Sequence, residues 1–369
     1  MNPRGLFGCL LLFVSATAGA LSEQEQRARI LYEANESSHA IEEAGALYGD
    51  PTLDSYLQQI IDRLYPEQQG KLQVHAFNAT SFNAFAMPNG QLYIHTGTLL
   101  RLDSEAELAS VLGHEGAHYT QDHIYKSIHS AKISMPVLTV VGAAVGFAAL
   151  GQIAGVSTVM GMSRDHEREA DEVGFARMVR AGYAADAGGL TFRRLLREID
   201  NQKIKQPIFF ASHPNVQERI DNFDRLARAQ PPGGETRRDA YLEVTRTARV
   251  AALERIWKQN NGKLLVFLLE DEKLIDTLPT FGRFYLAEGY RLRNEAGDPE
   301  RALALYRAVL RTDAQYAPTY DALGRYQLKA GEKTEALAMF RQYLALAPQA
   351  SDREFVEQYV TMLEKETGK

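Results

Sequence analysis

Ser110 to His123 reads SVLGHEGAHYTQDH, which sets His114 and His118 four residues apart with Glu115 directly after the first. On a helix, positions i and i+4 share a face, so both imidazoles can point at one ion. Glu115 lies about 100° further round the axis, where it cannot easily join the same coordination but can reach a water held there. Two imidazoles for Zn²⁺ and a carboxylate to take a proton from water form the zincin arrangement. An open zinc site uses three protein ligands and keeps the fourth position for water, so the rest of the chain must supply one more.

The stretch SRDHEREADEVGFARM, from Ser163 to Met178, meets that demand. At helical spacing Glu167 and Asp171 share a face, with small Ala170 beside them. Glu167 can ligate the metal. Asp171 can accept a hydrogen bond from a ligating histidine or, if protonated, steady the substrate as a donor. Glu169 reads as a solvated side chain, and His166 faces another way. His123 and His129 read as surface or supporting residues without an assigned role. A His-Glu-x-x-His string arises by chance in about one chain in a hundred of this length, so the second acidic helix is what makes the pattern specific.

These groups need helices to hold them, and the chain is rich in helical periodicity. Residues 21 to about 66 carry apolar residues at helical spacing. Leu72, Val74 and Ala76 then alternate with polar neighbours, as do Leu92 and Ile94, with the turn Pro88-Asn89-Gly90 between them. That pattern predicts a small antiparallel sheet. Ser104 and Glu107 have capping-box spacing at the head of the motif helix. Further helices are expected over 164–181, over 190–200 and after Ser212-His213-Pro214-Asn215. QPPGGE, residues 230–235, reads as linker. Beyond it a repeat of period 34 pairs Gly297 with Gly331, Ala302 with Ala336, Tyr306 with Phe340 and Leu310 with Leu344. This is the tetratricopeptide pattern of paired helices.

The expected organisation is therefore a signal peptide over 1–20, a zinc metallopeptidase domain over 21–229, a linker over 230–236 and a helical repeat domain over 237–369, with tetratricopeptide repeats at about 283–350. The fold class is mainly α with a small antiparallel β-sheet. Arg4, the apolar run Leu6–Val14 and Ala18-Gly19-Ala20 have the layout of an export signal cleaved after Ala20. Cys9 is the only cysteine, so no disulfide or thiol chemistry is available to the mature chain. Export without cysteines suggests a bacterial envelope protein, in the periplasm. The net charge of −6 argues against a nucleic-acid partner.

From Ile133 to Met162 no residue is charged. A single 30-residue helix would part its ends by about 45 Å, while Glu167 must return to His118 only five residues later. Two short helices turning near Gly151 resolve the conflict. Such a hairpin is a buried pair, a lid over the site or a peripheral membrane contact.

The pieces NAFAMPNGQLYIHTGTL, LGHEGAH, SRDHEREADEVGFARM and SHPNVQERI together resemble the zinc metallopeptidases that include HtpX and the CAAX prenyl proteases. With the signal and the repeat tail, the order of parts is similar to the periplasmic β-barrel assembly-enhancing branch. The resemblance implies one Zn²⁺ per chain on His114, His118 and Glu167, Glu115 as general base and Asp171 as proton donor. It also implies that His213 can occupy the open metal position and make a latent enzyme; the plain alternative is a loop histidine before a helix. One departure is Gly116, where the family carries a bulky aliphatic residue. A glycine inside a helix costs about 1 kcal/mol relative to alanine. Its missing side chain also predicts a loosened site or low activity, without removing a ligand.

The expected reaction is hydrolysis of unfolded or misassembled envelope proteins, held by strand addition along Gln91–His95 or Asn83–Met87. The resemblance implies outer-membrane barrel proteins as clients, with the repeat tail docking them or the barrel assembly machinery. The competing class is a chaperone or scaffold whose zinc site is latent or vestigial.

Overall fold

The computed structural model describes residues 22–130, 162–202, 213, 216–270 and 272–368. The expected signal peptide lies outside the described residues, as does the apolar insert apart from Met162. Among the described residues, no helix is long and apolar enough to cross a membrane.

The chain opens with α1 (Glu23–Glu43), whose Ser22 and Glu25 close a full capping box, and α2 (Pro51–Leu64), capped by Asp50. Three short strands follow: β1 (Gln73–Phe77), β2 (Ala84–Ala86) and β3 (Gln91–His95). Their order is β1-β3-β2, with β3 parallel to β1 and antiparallel to β2. The expectation of a wholly antiparallel sheet is corrected here. The Pro88-Asn89-Gly90 turn joins β2 to β3, and β1 reaches the far edge of β3 through residues 78–83. Strand β2 has only three residues, too few for alternation to reveal it. Gly90 is required at the turn: its φ is +84°, and a Cβ there would meet the Lys71 carbonyl oxygen at 2.1 Å.

Helix α3 (Thr96–Arg101) leads into α4 (Glu105–Thr120), the motif helix. Ser104 Oγ accepts from the Glu107 N–H at its N-cap, while the Glu107 carboxylate reaches back to the Asp103 N–H. Then come α5 (His123–Ser130), α6 (Arg164–Arg180), α7 (Ala187–Gln202) and α8 (Val216–Arg228). Every residue of α4 from Glu105 to His118 is buried. The helix forms the spine of a core that includes Leu57, Ile61, Leu92, Ile94, Leu108, Leu112, Phe175 and Phe223. Such all-round burial explains why a helix with apolar, glycine and charged residues shows no clear apolar stripe.

The segment read as linker is pinned to this core: Glu235 exchanges backbone hydrogen bonds with Gly182 and Ala184, and the Thr236 carbonyl accepts from Ala106 N–H. Helices α9 (Arg238–Val244), α10 (Arg246–Lys258), α11 (Gly262–Leu269), α12 (Glu272–Thr277) and α13 (Pro279–Arg293) continue the chain. The last four are α14 (Asp298–Thr312), α15 (Pro318–Ala330), α16 (Lys333–Leu346) and α17 (Arg353–Thr367). The period of 34 has a structural counterpart. Gly297 and Gly331 both stand in inter-helix turns at φ +81°, Ala302 and Ala336 are buried, and so are Tyr306 and Phe340. The mainly α class with a small sheet is borne out.

Candidate metal centre

Helix α4 presents His114 and His118 on one face, as their spacing requires, and α6 crosses it to deliver Glu167. Two glycines set the distance between the helices. A Cβ on Gly174 of α6 would lie 2.7 Å from the backbone of Gly113 and His114, and one on Gly113 would lie 3.0 Å from the Gly174 carbonyl oxygen. Only bare backbone fits at this crossing, which brings the first turn of α6 against the histidine face.

His213, between α7 and α8, completes the cluster. Ligand-capable atoms of His114, His118, Glu167 and His213 all lie within 4.8 Å of one another, and all four residues are buried. His114 Nε2 is 2.9 Å from His118 Nε2 and 3.3 Å from His213 Nδ1. Glu167 oxygens stand 3.6 Å from His114 Nε2, 3.4 Å from His118 Nε2 and 3.0 Å from His213 Nδ1. A regular tetrahedron with zinc–ligand arms of about 2.05 Å has edges of about 3.3 Å. The observed separations scatter around that edge.

The groups behind the two rings bear on the same fit. His114 Nδ1 stands 2.9 Å from both Asp171 Oδ1 and the Arg219 Nη2 donor; with a metal on Nε2 the ring proton would sit on Nδ1, with Asp171 as its acceptor. His118 Nδ1 faces His123 Nδ1 at 3.0 Å. Two buried imidazole Nε2 atoms thus converge beside a carboxylate, an arrangement that suits a cation between them.

The electrostatics follow from burial. Burial, then the Arg219 charge, hold the His114 imidazole well below its usual range, and burial pulls His118 down to about 4, so both rings are neutral and fit to ligate. Burial pushes Glu167 up, but His213, His118 and His114 more than offset it and hold it well below the carboxylate range. Burial raises Glu115 to about 7, the range of a working general base. Among the described residues, Glu115 Oε1 is buried without a hydrogen-bond partner, and it stands 3.7 Å from His213 Nε2.

Asp171 is raised to about 6, by burial, against the pull of Arg219. Asp171 faces the His114 ring and Arg219, which donates to it at 2.6 Å. Arg219 was not expected. It comes from α8, is 3% exposed, reaches Glu167 Oε2 at 3.4 Å and lies over the Phe192 ring. The one signal for it in the sequence is its place in the SHPNVQERI stretch. Behind His118, His123 and Glu169 are joined at 3.1 Å.

The expectation of a loosened site at Gly116 is corrected. Tyr65, at the end of α2, fills the space: a Cβ on Gly116 would lie 2.4 Å from its ring. The Tyr65 hydroxyl donates to the Gly113 carbonyl at 2.5 Å, and the residue is 1% exposed. The packing that an aliphatic side chain would give is supplied from another helix.

Residues 50–227 match peptidase family M48. A β-barrel assembly-enhancing protease of Escherichia coli K12 is 30% identical over 218 residues, covering 54% of this chain and 44% of that protein. The same-named protein of Yersinia pestis is 26% identical, over 52% of this chain and 43% of its own length. Mitochondrial metalloendopeptidase OMA1 of Schizosaccharomyces pombe is 26% identical, over 54% of this chain and 62% of its own. The chain therefore spans less than half the length of the bacterial relatives it matches. The zinc-metallopeptidase resemblance drawn from the motifs is borne out.

Proposed function

From the premise that residues 50–227 are a peptidase family M48 domain, we propose that this chain is a zinc-dependent endopeptidase of the bacterial envelope. One observation carries the reading: two buried imidazole nitrogens and a carboxylate converge at tetrahedral spacing beside a buried glutamate raised to about 7. Zinc bound by His114, His118 and Glu167 would polarise the scissile carbonyl and acidify the attacking water. Glu115 takes that water's proton and delivers it to the leaving amine. Asp171, clamped by Arg219, keeps the His114 ring in its ligating tautomer.

Strand addition belongs to β2. Of the two segments considered, Gln91–His95 is the central strand and has both edges taken, whereas Ala84–Ala86 is an edge strand packed on α4. An edge strand reads extended backbone rather than sequence, which suits unfolded clients. The relatives' name, β-barrel assembly-enhancing protease, supports barrel proteins under assembly as clients, and the export-signal layout of the first 20 residues supports a periplasmic location. The repeat tail would dock client or assembly machinery through its paired helices.

His213 supports a latent resting state. Its Nδ1 faces the ligands and its Nε2 faces Glu115, so the ring fills the space that water and substrate need. The same observation favours the second reading, a scaffold with a silent site. Hydrolysis of casein by the purified chain, with bound zinc measured, tests both. Glu115→Gln is expected to keep zinc and lose activity by about 10²–10⁴-fold. His213→Ala is expected to keep zinc and gain activity. A zinc-loaded His213→Ala protein that cleaves no unfolded substrate establishes the scaffold.

A further inference from the structure

His118 must present Nε2 to the cluster, so the proton of its neutral ring rests on Nδ1. The atom facing that buried nitrogen, at 3.0 Å, is Nδ1 of His123. For His118 to donate there, His123 Nδ1 must be a lone pair, which puts the His123 proton on Nε2. That Nε2 lies 3.1 Å from Glu169 Oε2, an acceptor. Donors and acceptors alternate along the whole chain with no clash.

We propose that His123, backed by Glu169, is a positioning residue for the metal centre: it fixes the tautomer and ring plane of His118. The inference rests on the metal-centre reading above. His114 is oriented directly by a carboxylate, whereas His118 is oriented by a carboxylate acting through a second imidazole.

The local fold builds this contact. Helix α4 stops at Thr120, and Asp122 takes a left-handed backbone at φ 56°. Arg27 of α1 pairs with the Asp122 carboxylate at 3.1 Å and holds the turn. The reversal returns the first residue of α5, His123, against the last turn of α4, where it is fully buried. His166 of α6 stacks flat on its ring, with centroids 4.4 Å apart and planes 12° apart. The ring is thus held by α4, α5 and α6 together. The Glu169 side chain, 48% exposed, forms the outer end of the chain.

The test uses the full chain, with Zn²⁺ affinity measured by competition with a chromophoric chelator and the visible spectrum of the Co²⁺-substituted protein as the readout of ligand geometry. His123→Leu removes the acceptor and strands the His118 N–H; zinc binding is expected to weaken about 10–100-fold and the Co²⁺ bands to shift. His123→Asn places an oxygen acceptor near the lost nitrogen and is expected to recover affinity to within about threefold. Glu169→Ala frees the His123 ring and is expected to weaken zinc by several-fold. If His123→Leu does not fold, Glu169→Ala decides, and unchanged affinity and spectrum there overturn the proposal. Equal losses in His123→Leu and His123→Asn also overturn it, since they report a packing role alone. A parent chain that takes up neither ion sinks the metal-centre reading and this inference with it; variants that match a metal-binding parent sink this inference alone.

Discussion

Gly174→Ala tests the idea that backbone contact between α4 and α6 sets the metal geometry. The new Cβ would lie 2.7 Å from Gly113 C and His114 N, roughly 0.7 Å inside ordinary van der Waals contact. Both neighbours are backbone of the ligand-bearing helix, so no side chain can swing aside. The helices must part, or the protein must absorb the overlap as strain of about 1–3 kcal/mol. Parting by even half of 0.7 Å exceeds the tolerance of about 0.2 Å on metal–ligand bonds. If the strain falls on the bound state, zinc affinity drops about 5–150-fold, at 1.4 kcal/mol per decade. Chelator competition measures the affinity, and thermal unfolding with excess zinc and with EDTA separates folding from binding. The expected result is a larger loss of melting temperature with zinc present than with zinc chelated. Zinc affinity within about twofold of the parent, in a folded variant, would show that α4 and α6 do not gauge the site through Gly174.

The Tyr65 correction predicts that Gly116→Ile, although it restores the family's residue type, destabilises this chain by about 1–3 kcal/mol through overlap with the Tyr65 ring. Adding Tyr65→Ala should recover part of the loss, so a strictly additive double mutant in urea unfolding refutes the correction. His95, which is not one of the cluster residues, supplies a pH test. Burial pushes its pKa from 6.5 to about 3, so the folded state resists a proton that the unfolded chain accepts. The stability it contributes is fully present above pH 6.5 and is lost as pH falls towards 3. His95→Phe should therefore lose about 2 kcal/mol less than the parent between pH 8 and 5, and parallel stability curves would contradict the assignment. In the tail, a Cβ on Gly324 would lie 2.6 Å from the Phe340 ring, so Gly324→Leu should destabilise the α15–α16 pair while zinc affinity stays at the parent value. A matching loss of zinc would mean the two halves unfold as one unit.

Much of the centre was legible along the chain. His114, His118 and Glu115 are related by the pitch of one helix, and Glu167 and Asp171 by the pitch of another, so periodicity places each set. The repeat in the tail was legible for the same reason, since its equivalent residues return at a constant interval. The sheet was misread because pairing depends on which strand a turn joins, and β2 is too short to announce itself.

What the sequence by itself determined was therefore local: which residues can ligate, which can act as base, and which helix faces they occupy. The tertiary structure alone decided how far apart the two faces stand, through Gly113 and Gly174. It also decided that Tyr65 replaces a missing side chain, that Arg219 clamps Asp171, that His213 sits against both motif histidines and that His123 sits behind His118. The reason is physical. Relations within a helix follow from fixed backbone geometry, whereas relations between helices depend on the fit of side chains distant in sequence, which no spacing along the chain encodes.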